Sequence, residues 1–409
     1  MTIGQLGIKH PSLATMVDSI KSRISREALH QRFTKSSVDF IHRCAKYVLK
    51  QKITQTVPIK AKLLKHFNRV MIVDGSSWAV DSRVADMFPG AGGAGSAAGC
   101  KVQAFYEYKR GELSFFELTA GTCPDNNYSR QLNNHVKTND LLLVDLGYFR
   151  LQTLRDINTK GAYFLSRYPI GVSLFDAETG SLMELRKKLS SLPGDTYEFS
   201  VVMGCKKDKK VRCRLICLRV SEEAANKRRR RVRKRAKQRK RAPNPLRLAL
   251  CDWMLIVTNV PESWLTAEMA RPLYSLRWQI ELFFKQLKSV LCIHHSNTAN
   301  VHRLQCEIYG KLIMAVFIHR IHSVFNGCLW NSHHREVSMD KLYKRVQERA
   351  FVILRFMLIS LPKACLYLAA EIPRLIKNCI KTRQPSRKTS LEILEYGMKT
   401  QTEVYQMAV

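Results

Sequence analysis

Acid is what this sequence is short of: 33 Asp and Glu stand against 68 Lys and Arg among 409 residues, a formal charge of +35. An excess of that size repels itself unless a polyanion is bound, which points to nucleic acid as partner, with anionic membrane the weaker alternative. Binding should fall steeply with salt. The opening "MTIGQLGIKHPSLATMVDSI" lacks a basic-then-apolar leader, so the chain is read as starting where the sequence does and as cytoplasmic. The most apolar late stretch, "FVILRFMLISLPKACLYLAA", is broken by Arg355, Pro362 and Lys363, and reads as a buried helix pair. No membrane partner is expected. The 12 cysteines lack a secretory context, which favours reduced thiols. Cys213 and Cys217 would share a strand face, and with no second Cys or His pair at ligand spacing zinc is not expected. His294-His295 and His333-His334 read as surface or packing histidines. No repeat of solenoid length is visible.

What is present is enough apolar residue, 45%, for a sizeable core and more than one domain. Residues 1–66 read as helices, with Ser25 a candidate N-cap; a DNA-binding or dimer-forming module and a plain packing layer both fit. "NRVMIVDGSSWAV" then gives a buried strand, Val70 to Val73, ending at Asp74 and a Gly-Ser-Ser turn. Two aromatic and β-branched runs around "KRGE" form a hairpin signal. "NDLLLVDLGYF" repeats the first pattern, Leu141 to Val144 running into Asp145, so the class is α/β. Residues 171–251 look short and β-like, interrupted by a nearly continuous Lys and Arg run at 227–241 that is expected to be unfolded or extended. A solvated loop fits that run, but counterion release rewards clustered cations and favours a DNA backbone clamp that includes Arg229, Arg231 and Arg233. Beyond Leu291 the chain reads as helical to the end.

"LYSLRWQIELFFKQLKSV", residues 273–290, reads as one amphipathic helix. At about 100° per residue, Leu276, Ile280, Phe283, Phe284 and Leu287 share an apolar face. Tyr274, Arg277, Glu281 and Lys288 share another arc, with Lys285 and Trp278 beside it. A solvated stripe, with Arg277 and Lys285 each four residues from Glu281, accounts for this helix alone. Combined with Asp74 and Asp145, the same glutamate completes a set of three carboxylates of the kind that holds two Mg²⁺ (or Mn²⁺) ions about 3.5 to 4 Å apart for phosphoryl transfer. Each acid alone also fits a turn or cap, and Asp252, Glu262 and Asp125 compete. Arg277 and Lys288 suit a phosphate backbone, Arg as a fork and Lys as a point charge.

These residues resemble the DDE transposases of bacterial insertion sequences, in the subgroup marked by Tyr, two residues, Arg, three, Glu, six, Lys. "YSLRWQIELFFKQLK" supplies Tyr274, Arg277, Glu281 and Lys288 at every spacing, and "MIVDGSSW" and "VDLGYF" match the two Asp strands. The resemblance, covering about 67 to 325, implies an RNase H-like mixed-sheet core with helices, interrupted by a β-rich insertion domain and flanked by helical regions. The boundaries it suggests are 1–66, 67–170, 171–251, 252–325 and 326–409. It implies cut-and-paste transposition by a DNA-bound homodimer: metal-dependent cleavage at the terminal inverted repeats, then strand transfer to target DNA. Asp74, Asp145 and Glu281 would bind both metal ions, and Tyr274, Arg277 and Lys288 the terminal phosphates. Trp253 in "CDWMLIVTN" would stack a flipped base, although a core role also fits it. The basic run departs from the simplest family pattern. A non-catalytic DNA-binding repressor on the same scaffold is the alternative.

Overall fold

Each short apolar run becomes a strand and each 3.6-periodic run a helix, in an α/β chain whose computed structural model describes residues 12–19, 24–50, 58–92, 95–205, 210–296, 298–345, 352, 356, 359–382 and 388–397. Among the described residues three helices come first: α1 (Leu13–Ser19), α2 (Arg26–Gln31) and α3 (Lys35–Lys50). Ser25 caps α2, accepting from the Ala28 amide at 3.1 Å. Strand β1 (Val70–Ala79) does not stop at Asp74 as the Gly-Ser-Ser triplet suggested, because its second half continues beside β2 (Gly99–Glu107) and ladder pairing outweighs local turn preference. β2 turns into β3 (Glu112–Ala120) through Gly111, whose φ of +63° favours glycine. After two single-turn helices at Asp125–Tyr128 and Leu132–His135, the main elements are β4 (Leu141–Val144), α4 (Leu151–Thr159), β5 (Tyr163–Arg167), β6 (Leu174–Asp176), α5 (Leu185–Ser190), β7 (Thr196–Met203), β8 (Val211–Arg219), α6 (Glu222–Gln238), α7 (Pro245–Ala249) and β9 (Trp253–Thr258). Helices α8 (Ala267–Ser275), α9 (Trp278–Ser289), α10 (Val301–His333), α11 (Leu361–Cys379) and α12 (Ser390–Tyr396) follow.

The chain divides into two compact units, one of residues 1–60, 74–123 and 278–387, the other of residues 61–73, 124–277 and 388–409. In the first, α10 packs on α3, both meet β3, and Tyr106 of β2 meets the His319 ring of α10 edge to face. Helix α10 is apolar and long enough to cross a membrane, yet 67% of that window is buried within the protein, where it serves as core. It carries Lys311 inside, satisfied by donation to the Cys292 carbonyl at 2.7 Å. Of the apolar stretch expected to form a buried helix pair, Leu361 onward is helical and most of 351–358 lies outside the described residues.

His319 and His322, also on α10, are 2% and 9% exposed, and burial pulls their pKa values from 6.5 to about 3 and about 4. The unfolded chain therefore takes up protons near pH 6.5 that the folded chain refuses, so this stability is complete above that value and is lost as pH falls toward 4. Urea midpoints should drop between pH 7 and pH 5, and His319→Phe should reduce the drop. An unchanged pH dependence in that variant would refute the assignment.

In the second unit the sheet order is the start of β1, then β4, β5, β9, β8, β7 and β6. β1, β4 and β5 run parallel, while β5, β9, β8, β7 and β6 pair antiparallel. The strands of 171–251 thus extend the same sheet through the β8–β9 pairing and alternate with α5, α6 and α7. The basic run corrects its expectation most clearly: through Gln238 it is helical. Ser221 accepts from the Ala224 amide at 3.4 Å, Glu222 and Glu223 occupy the first turn, and cations crowd the last, all favourable to the helix dipole. Arg and Lys are good helix formers once their repulsion is offset by docking.

Candidate functional site

In the first unit, Asp74 lies within β1, its Oδ1 accepting from the Gly75 amide at 2.8 Å. Glu281 lies in the first turn of α9, where the helix N-terminus favours a carboxylate. Ile280, Phe283 and Leu287 are buried and seat that helix, Phe283 meeting the His319 ring edge to face at 5.2 Å. Asp74 and Glu281 line one cavity of about 570 Å³, together with Ser76, Lys285, Lys288 and His294. Glu281, Lys285 and Lys288 reach it because i, i+4 and i+7 share a helix face.

Lys288 was expected to hold phosphate. Its Nζ instead donates to the Ser77 carbonyl at 3.0 Å and lies 6.0 Å from the Trp78 ring, and burial lowers its pKa. It ties α9 to β1 and so fixes Glu281 relative to Asp74. His294, read from sequence as a packing residue, lines the cavity, and its Nδ1 has no hydrogen-bond partner among the described residues. Burial, with His295, Lys288 and Lys311 nearby, lowers its pKa and keeps it neutral at pH 7.

In the second unit, Asp145 follows β4 directly and caps the tight turn Leu146–Tyr148. Arg167 and Arg277 approach its Oδ1 at 3.5 Å and 3.6 Å. Arg167 is there because Val144 pairs with Ser166, which brings the end of β5 alongside. Sequence reading missed this arginine, whose signal was only its place at the end of "GAYFLSR". Tyr274 is buried, its hydroxyl donating to the Val144 carbonyl at 3.4 Å and its pKa raised by burial, so it buttresses the Asp145 turn.

The single helix expected over 273–290 is two, α8 ending at Ser275 and α9 starting at Trp278. Pro272 removes an amide from the last turn of α8, and Leu276 and Arg277 bond back to Leu273 and Tyr274 at 3.2 Å and 3.1 Å, the three-residue spacing that closes a helix. The helical wheel therefore holds for Glu281, Lys285 and Lys288, and Tyr274 and Arg277 belong to the Asp145 group.

Among the described residues no three His, Cys, Asp or Glu side chains are gathered as a metal site. The two carboxylates of the cavity nevertheless offer the hard oxygen donors that Mg²⁺ or Mn²⁺ uses, and such ions draw further ligands from water and substrate phosphate. Trp253, expected to stack on a base, is 6% exposed with the Arg219 guanidinium 4.4 Å from its ring, whereas Trp278 at the start of α9 is 57% exposed. Arg229, expected on DNA, is ion-paired with Asp252 and donates to Asn226 at 2.9 Å, while Arg231 and Arg233 are exposed.

Residues 65–317 match the transposase DDE domain family. The chain is 27% identical to the transposase for insertion sequence element IS231F of Bacillus thuringiensis subsp. israelensis, covering 81% of this chain and 72% of that protein. With the IS231B transposase of subsp. berliner the identity is 27%, over 91% and 81%. With the IS1151 transposase of Clostridium perfringens it is 28%, over 97% and 87%.

Proposed function

This chain belongs to the transposase DDE domain family, and from that premise we propose that it is the DNA transposase of an insertion sequence, cutting at the element's terminal inverted repeats and joining them to target DNA. The observation that carries this reading is the sharing of one cavity by Asp74 and Glu281, two acids far apart in sequence that the family pattern singles out. Asp145 is proposed as the third ligand, because it follows an apolar strand as the family pattern requires. Parallel β1, β4 and β5 together with the antiparallel β2–β3 hairpin support an RNase H-like core. The chain is proposed to act as a DNA-bound homodimer.

Asp74, Asp145 and Glu281 would hold two Mg²⁺ or Mn²⁺ ions, which when bound activate the attacking oxygen and stabilise the leaving one. The protein's own contribution is positioning. Lys288 holds α9 in place, Lys285 offers an exposed cation to substrate phosphate at the cavity, and Arg167 and Arg277 keep the Asp145 turn electropositive. Arg277 presents the forked geometry that suits a phosphate, and Trp278, exposed beside it in sequence, offers a ring face to DNA.

The test is incubation of the purified chain with Mg²⁺ and duplex DNA bearing the element's ends. Cleavage at the end junctions, absent when EDTA is added, is expected. A protein that binds those ends yet cuts nothing in Mg²⁺ or Mn²⁺ would instead be a repressor on this scaffold.

A further inference from the structure

Helix α6 presents two sets of cations with different employment. Along it, Ala225 is buried and Asn226, Arg228, Arg229, Val232 and Ala236 are half-buried, whereas Lys227, Arg230, Arg231, Arg233, Lys234, Arg235 and Lys237 are exposed. Of these, Lys227, Arg230, Arg231, Lys234 and Lys237 form one stripe on the helix side opposite Ala225, with Arg233 and Arg235 at its two edges. The inward arginines are committed to protein: Arg228 donates to the Trp253 carbonyl at 2.9 Å and the Cys251 carbonyl at 3.4 Å, and Arg229 pairs with Asp252.

We propose that α6 is a docked, rigid rail for the phosphate backbone of duplex DNA, anchored by Arg228 and Arg229 and contacting DNA through Lys227, Arg230, Arg231, Lys234 and Lys237. The proposal rests on the transposase reading and extends it by assigning separate tasks to residues of one basic run. From Ala224 to Arg241 no acid interrupts the positive charge, so a polyanion is the complementary surface. The helix has no aromatic residue, which leaves it nothing on which to stack single-stranded bases. Its apolar residues are only Ala and Val, and they are at least partly turned from solvent, unlike the bulky apolar face by which a helix enters a membrane. A helix of 17 residues is about 25 Å long, enough to follow several successive phosphates of a duplex. A stripe of Lys and Arg alone positions the duplex without selecting its sequence.

The anchoring explains why the run is folded. A free chain of like charges pays for ordering as each phosphate is met, and a helix already held by side-chain bonds to Cys251, Trp253 and Asp252 does not.

The experiment uses the full chain and a random-sequence duplex, with affinity measured by fluorescence anisotropy over a range of salt. The variant K227Q/R230Q/R231Q/K234Q/K237Q should flatten the slope of log affinity against log salt by about 4 to 5 and weaken binding at least tenfold at physiological salt, since each phosphate contact contributes about 0.9 to that slope. Hydrogen exchange within α6 should be unchanged in that variant and accelerated in R228Q/R229Q. An unchanged slope in the fivefold variant overturns the rail, as does wild-type protein whose rail-dependent binding prefers duplex RNA, single strands or phosphatidylserine vesicles to duplex DNA. Unaltered exchange in R228Q/R229Q overturns the anchoring. Failure of the wild-type chain to bind any DNA would instead remove the transposase reading, so the two failures are distinct.

Discussion

Asp74→Asn and Glu281→Gln are each expected to abolish cleavage of end-bearing DNA, by roughly a thousandfold or more, while DNA affinity stays the same or rises slightly. Each amide keeps the shape of the side chain but removes the negative charge that a hard cation requires, and a loss of about 4 kcal/mol of transition-state stabilisation corresponds to three orders of magnitude in rate. Affinity should not fall, because deleting an acid beside a polyanion relieves repulsion. Asp74 and Glu281 share their cavity with Lys285, so the losses should resemble each other in size. Cleavage assays beside binding assays on the same preparations read this directly. Cleavage surviving in either amide variant would place the chemistry elsewhere.

Trp330→Ala should destabilise the protein by about 3 to 5 kcal/mol, the range for deleting a fully packed large ring. Trp330 is 0% exposed near the end of α10, and its indole N–H donates to the Lys60 carbonyl at 2.9 Å. Asn331 beside it reaches the Pro58 carbonyl and accepts from the Lys60 amide, both at 3.1 Å, so this helix end grips the segment at 58–60. Trp330→Phe keeps most of the packing and leaves one carbonyl without its donor, so about 1 to 3 kcal/mol is expected. Urea unfolding at pH 7 separates the variants. A Trp330→Ala change within about 1 kcal/mol of wild type would show that the ring is not the packing element its burial implies.

The legible part of the fold was what alternation and periodicity encode. Val70 to Val73 and Leu141 to Val144 announced buried strands, "KRGE" a hairpin, and Ser25 a cap, because burial and capping repeat over a few residues and leave a local trace. Of the candidate site, residue types at set spacings were legible, and two of the acids so picked out, Asp74 and Glu281, line one cavity. What was not legible is where those spacings are broken or spent. The helical wheel over 273–290 failed because Pro272 and two short backbone bonds end α8 before Glu281 is reached. The length of β1 depended on β2, a partner supplied by a distant segment.

Arg229 and Trp253 show the same division in single side chains. Composition marks one as a cation and the other as an aromatic ring, and both were read toward DNA. Asp252 and Arg219 claim them, and neither claim leaves a mark in local spacing. His294 is the converse, an unremarkable histidine by sequence that the packing of α9 and the following loop sets in the cavity wall.

By itself the sequence determined the charge, the apolar strands and capped helices with a local pattern, and which acids and cations were available. Tertiary structure alone decided which of those charges line the cavity and which neutralise one another. The reason is range: helix and strand preferences act across neighbouring residues, whereas an ion pair or a ladder joins residues whose separation along the chain places no constraint on either one's local pattern.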